Sequence, residues 1–220
     1  NLAHFGQTDT QYAARNLDIR TATGIYRPWA LSGGSFGNVT LNNFTMRMDD
    51  GDRTFAVNSA GTTYINTIFN GTIELQNGST LRNAFFEVGS DNSFQSGIGV
   101  LTLNNVISQT GSAAVNLRKR QGGALILTSD NTYAGETWVE QGRLVLNNLG
   151  AAGAAGSTIR MEMQNDRRGD LEFRMDGVGP FIFDNSIVTS GNDGGETRVI
   201  TVGSFSGASS NQVVQLNGSL

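Results

Sequence analysis

The sequence predicts an all-β chain wound as a parallel β-solenoid, and three observations predict it. Glycine occurs 29 times and proline twice among 220 residues, with abundant Asn, Ser and Thr, so corners that need positive φ or local hydrogen bonds are frequent. Apolar residues alternate with polar ones in short runs, the period of a strand with one buried face. Three of those runs, Val39-Thr40-Leu41-Asn42-Asn43, Leu101-Thr102-Leu103-Asn104-Asn105 and Leu144-Val145-Leu146-Asn147-Asn148, share one pattern at unequal separations. Unequal spacing disfavours a propeller, whereas a solenoid tolerates corners of different length as long as its strands stack in register.

Taken in order, residues 1–35 read as an irregular N-terminal cap or edge segment. Their one helix-compatible stretch, Asp9 to Asp18, has too few apolar positions for a stripe. Residues 36–220 read as the solenoid. Phe44, Met46 and Met48 share a face opposite Thr45 and Arg47; Ile73 and Leu75 precede Asn77-Gly78; Leu171, Phe173 and Met175 alternate with Glu172 and Arg174. Stacked strands should lie about 4.8 Å apart, in rungs of about 20 to 25 residues holding three short strands, which gives about seven to nine rungs from Phe36 onward. Asn residues at equivalent corners are placed to form hydrogen-bonded ladders.

Within GGALILTSDNTYAGETWVEQGRLVLNN, residues 122–148, three runs (Ala124 to Leu127, Glu136 to Val139, Arg143 to Leu146) flank an Asn-Thr-Tyr-Ala-Gly turn and a Gln-Gly corner. This stretch resembles the autotransporter-associated β-strand repeat, whose pattern is roughly G-x-L-x-L-x-x-x-N-T-Y-x-G-x-T-x-V-x-x-G-x-L-x-L. Gly123, Leu125, Leu127, Asn131-Thr132-Tyr133, Gly135, Thr137, Val139, Gly142, Leu144 and Leu146 carry the match, with Lys119 upstream of a glycine pair. The resemblance implies a right-handed parallel β-helix in a passenger region that is secreted or displayed on a bacterial outer-membrane surface. A first residue other than Met suggests an excised or processed segment of a longer protein.

Composition narrows the chemistry. A net charge of −4 disfavours nucleic acid, which is held by an excess of Lys and Arg. The absence of cysteine removes disulfides and thiolate chemistry, and no apolar stretch approaches the ~20 residues of a transmembrane helix. A lone histidine, His4, comes with no Gly-x-Ser-x-Gly elbow, and one His without Cys leaves too few preferred ligands for zinc. Asp49-Asp50-Gly51-Asp52 lacks the spacing of a calcium loop and reads as a corner, as does Asn192-Asp193-Gly194-Gly195-Glu196. Asn38, Asn43, Asn70, Asn77 and Asn217 begin glycosylation sequons that the bacterial resemblance turns into corner residues. No catalytic residue, cofactor or metal is expected.

Candidate interaction residues remain. If Leu125, Leu127, Thr137, Val139, Leu144 and Leu146 face inward, alternation sends Ile126, Trp138 and Val145 outward, where they await either a covering segment from residues 1–35 or a partner. Arg168-Gly169-Asp170 is either an integrin-type tripeptide or a plain turn, and Arg118-Lys119-Arg120 either an attractor of acidic glycans or a solvated edge. The expected function is a non-enzymatic structural or adhesive surface module that self-assembles into a homo-oligomer or fibre, or binds a surface receptor or glycan. The alternatives are a carbohydrate-active enzyme with surface carboxylates and a receptor-binding effector using Arg168-Gly169-Asp170.

Overall fold

The computed structural model describes residues 10–13, 16–19, 25–31, 38–48, 51–59, 66–89, 99–164, 167–176, 179–190, 198–203 and 213–219. His4, Asp49, Asp50 and the 192–196 cluster lie outside the described residues.

Two parallel ladders organise the chain. The first stacks β1 (Thr10–Ala13) and β2 (Asn16–Ile19) on β4 (Asn38–Met48), then β6 (Asn66–Gln76), then β8 (Val100–Leu103) and β9 (Ile107–Thr110), then β11 (Ala124–Leu127), β13 (Gly142–Leu146), β15 (Arg167–Arg174) and β18 (Ile200–Gly203). The second stacks β3 (Ile25–Leu31), β5 (Arg53–Ser59), β7 (Arg82–Val88), β10 (Val115–Arg120), β12 (Thr137–Val139), β14 (Thr158–Gln164) and β17 (Ser186–Ser190). A separate parallel pair joins β16 (Phe181–Phe183) to β19 (Val214–Leu216), and a short 3₁₀ turn spans Leu149–Ala152. Because the chain alternates between the ladders and each strand pairs with one a full circuit later, the arrangement is consistent with a β-helix.

Register explains why the spacing is uneven. Phe69 pairs with Leu103, Leu103 with Leu127, Leu127 with Leu146 and Leu146 with Phe173, so circuits of 34, 24, 19 and 27 residues all return to the same inward position. In the longest of these circuits part of the extra length is strand, because β6 runs on to Gln76 and its end pairs with β9. From residue 36 onward the first ladder has seven levels among the described residues, β4, β6, β8 with β9, β11, β13, β15 and β18. In the compact circuits a rung holds two strands rather than three, because Ala124–Leu127 and Gly142–Leu146 lie one above the other as successive levels of one ladder. In place of a third strand the corner inserts Tyr133, fully buried, whose hydroxyl shares a 2.7 Å hydrogen bond with Thr137.

Leu125, Leu127, Thr137, Val139, Leu144 and Leu146 are buried to within 1% of complete, as alternation predicts. Phe69, Leu101, Phe86, Ile159, Met161, Leu171 and Phe173 extend the same interior along the stack. Burying a Leu or Phe side chain contributes about 1.5–3 kcal/mol, and the inward pairs of β11 and β13 are covered above and below. The corner ladder also forms: Asn70 Nδ2 donates to Asn42 Oδ1 at 2.7 Å, and Asn104 Nδ2 to Asn70 Oδ1 at 2.7 Å.

The expectation of an irregular segment over residues 1–35 is corrected, for three strands within it, Thr10–Ala13, Asn16–Ile19 and Ile25–Leu31, pair in parallel with β4 and β5. The β3–β5 register shifts between Tyr26 and Trp29, and Pro28, which has no amide hydrogen to give a ladder, sits in that irregularity.

Candidate functional site

The residue types best suited to recognition meet on the outward face of the second ladder. Register places Phe85, Arg118, Trp138, Arg160 and Val188 in one row across β7, β10, β12, β14 and β17. Two residues earlier in each strand the row is polar, with Asn83 and Asn116 paired in register and hydrogen-bonded at 3.3 Å between side chains.

Trp138 is half-buried, and arginines of both neighbouring strands lie over its ring. The Arg118 guanidinium lies 4.3 Å from the ring centroid and that of Arg160 lies 5.3 Å away. Arg120 sits 3.8 Å over Phe85, which Arg118 also approaches at 5.6 Å. Each such contact is worth about 0.5–1 kcal/mol at an exposed site. Glu136 locks the arrangement, accepting from Arg160 Nε at 2.7 Å, Arg160 Nη2 at 2.8 Å and the Trp138 indole at 2.9 Å. The hydrogen bond from Arg160 is the main reason the Glu136 carboxyl titrates below its ordinary range, against the opposing effect of burial. Glu140 accepts from Arg118 and, at 2.7 Å, from Arg120. Burial, reinforced by Glu140, pushes the Glu162 carboxyl upward.

The Arg118-Lys119-Arg120 run is therefore neither a basic patch nor a solvated edge. Alternation turns Lys119 inward, where it is completely buried in the column that Phe86 and Val139 flank in register. Its ammonium donates to three backbone carbonyls, Arg120 O at 2.7 Å, Gln121 O at 2.5 Å and Gln141 O at 3.0 Å. Burial pushes its pKa down to about 7, against the pull of Glu140 and then Glu87. The corner it closes is sharp, with Gln121 at φ 65° and Gly142 at φ 73°.

The other outward candidates fare differently. Ile126 is half-buried, but Val145 has no exposed surface, contrary to the expectation of an outward contact residue. Its neighbours in register are Ile126 and Glu172, and Glu172 gathers Arg143 at 3.0 Å and Arg174 at 2.5 Å on the same face. Alternation fixes the side on which a residue projects, and long neighbours decide whether water reaches it. No covering segment from residues 1–35 is needed to explain Trp138, since arginines of adjacent rungs occupy its ring.

Arg168-Gly169-Asp170 is not a displayed turn. It lies within β15, with Gly169 opposite Gly142 and Asp170 opposite Arg143, while Arg168 pairs antiparallel with Met163 of β14. Arg168 and Asp170 face each other at 3.4 Å, with side chains 14% and 15% exposed. A Cβ on Gly169 would stand 2.0 Å from the Val139 carbonyl oxygen, so close rung packing accounts for the glycine.

Sequence reasoning missed the two tasks of Asn131. Its Oδ1 accepts from the Ile107 amide at 2.7 Å and its Nδ2 donates to Ala151 O at 2.6 Å, joining the circuits before and after it. It also missed a groove of about 540 Å³ at the exit corner of the first ladder, lined by Asn104, Thr128, Asn147, Arg174, Met175 and Phe181 among others. The strand-end positions were visible in the repeated Leu-x-Leu-Asn pattern; the hollow was not. Among the described residues no group of three His, Cys, Asp or Glu converges as a metal site, and no helix is long and apolar enough to cross a membrane.

The comparison with known families finds one repeat: residues 117–146 match the passenger-associated-transport-repeat, so this stretch is an autotransporter passenger repeat segment. It covers β10 to β13, the part of the stack with the shortest circuits. No curated protein and no solved structure matches the chain.

Proposed function

We propose that the chain is a stretch of surface-displayed or secreted bacterial passenger, a right-handed β-solenoid that works without catalysis, by shape and contact, and that associates with further copies through exposed apolar residues of β18. The observation that carries the structural part is the use made of its charged and aromatic side chains. Glu136, Glu140 and Glu172 each bind arginines that also cross rungs, and Lys119 and Asn131 tie neighbouring circuits. The side chains that an enzyme would leave available to substrate serve here to hold one rung to the next.

Association rests on β18. Ile200 and Val202 occupy the register of Leu171 and Phe173, which are fully buried, yet are 38% and 40% exposed. An inward pair left this exposed, on a strand that pairs only with β15 among the described residues, is an apolar, hydrogen-bond-competent surface of the kind that accepts another strand. Trp138 and Val145 contribute little to lateral contact, being held by arginines or buried.

Sedimentation velocity over a concentration series tests the proposal. The intact chain should shift to larger species as concentration rises, and an Ile200→Asp, Val202→Asp variant should stay monomeric. A strictly monomeric intact chain would remove self-association and leave adhesion to an external partner.

A further inference from the structure

We infer that the groove at the exit corner of the first ladder is a binding site for a neutral saccharide, with Asn147 as its polar anchor and Phe181 as its stacking face. The inference deepens the contact function proposed above and rests on it for the setting in which a glycan would be met.

The starting point is an interruption. The corner ladder runs from Asn42 through Asn70 to Asn104, and the Thr128 hydroxyl continues it to Asn104 Oδ1 at 3.4 Å. Leu127 pairs with Leu146, so the next position in line is Asn147, and there the chain of bonds stops: Asn147 Oδ1 is out of contact with water and accepts no hydrogen bond. An amide oxygen without a partner in such a place is costly. Asn147 lines the groove, and rotation about its last side-chain torsion, which is soft, turns the amide toward the cavity. One Asn amide can then accept from one hydroxyl and donate to its neighbour, the pairing offered by vicinal hydroxyls of a sugar ring.

The rest of the lining selects the ligand class. Phe181, partly buried against the core, gives an apolar surface suited to the C–H face of a pyranose, while Thr128 and Asn147 bring neutral polar groups to the same lining. The groove's charges are already committed: Arg174 holds Glu172 through Nε at 2.5 Å and Nη2 at 3.3 Å, and Asp176 is engaged within the protein. A phosphate or sulfate would have to break the Arg174–Glu172 pair, whereas an uncharged ring leaves it intact. A cavity of about 540 Å³ is within the usual range of small-ligand sites and suits a short oligosaccharide segment.

Titration calorimetry of the intact chain with cellohexaose, mannohexaose and chitohexaose tests the site. At least one should bind with millimolar or better affinity, Asn147→Leu and Phe181→Ala should each weaken it about tenfold, and Trp138→Ala, on the other ladder, should leave it unchanged. If Asn147→Leu does not fold, Phe181→Ala decides alone. No heat with any of the three, or binding that survives the groove variants, overturns the inference. Beads coated with the chain and applied to glycan-bearing and protein-only surfaces separate this from the broader reading. Adhesion undiminished by Phe181→Ala retains a contact function and removes the groove; saccharide binding without adhesion retains the groove and removes the adhesive role.

Discussion

The stack contains the same inward pattern in two circumstances. In β11 and β13, Leu125, Leu127, Leu144 and Leu146 are at most 1% exposed, with a rung on either side. In β18, Ile200 and Val202 hold the corresponding register, pair only with β15 among the described residues, and stay more than a third exposed. Residue type and alternation are equivalent; the number of neighbouring rungs is not. Burial in this architecture is thus a property of position along the stack, as expected where each unit contacts only its neighbours.

The comparison breaks most directly at its core. Leu125→Ala or Leu144→Ala should cost about 2–5 kcal/mol, because close-packed rungs cannot collapse around the cavity, and Ile200→Ala should cost less than about 1 kcal/mol. Urea denaturation curves on the three variants check this, and equal losses would mean that β18 is covered in solution. Glycines sharpen the same contrast. Gly169→Ala drives a Cβ to 2.0 Å from Val139 O and should lose about 1–3 kcal/mol, whereas a Cβ at Gly203 meets nothing within 4 Å, so Gly203→Ala should be nearly neutral by the same assay.

A third expectation concerns pH. Lys119 has a folded-state pKa of about 7 against 10.5 for the free side chain. Between those values the unfolded chain holds a proton that the folded chain lacks, so stability from this group rises with pH through that window and is flat below it. Thermal melts from pH 6 to pH 10 should show that rise in the intact chain and lose it in Lys119→Met; an identical slope in both would assign the effect to other groups. The smallest effect belongs to the outer face. Trp138→Ala removes two arginine contacts and should cost about 1–2 kcal/mol by urea denaturation, well below the interior leucines.

These differences also show what could be read in advance. Leu125, Leu127, Val139, Leu144 and Leu146 declared themselves through period-two alternation, and the Asn corner ladder through the recurring Leu-x-Leu-Asn. The misreadings share a cause: a general rung length of about 20 to 25 residues does not fix which residues align from one circuit to the next. Arg118 and Arg160 stand 20 and 22 residues from Trp138, one rung to each side, and nothing local connects them. The same holds for Val145 beneath the Glu172 cluster, for Gly169 against Val139, and for Asn147 at the end of its ladder. In β3 the irregularity at Pro28 hid a strand whose pairing is made by backbone.

Lys119 has a mechanical consequence. Its ammonium grips carbonyls of its own circuit, at Arg120 and Gln121, and of the following one, at Gln141. A load applied along the stack would otherwise peel the ladders apart level by level, each with the modest resistance of a few backbone bonds. At this corner the two coils share one buried side chain, and separating them means breaking three oxygen contacts at once. Under tension the segment from β10 to β13 is therefore a rivet in an otherwise extensible spring, and stretching should unwind the coils on either side before it parts.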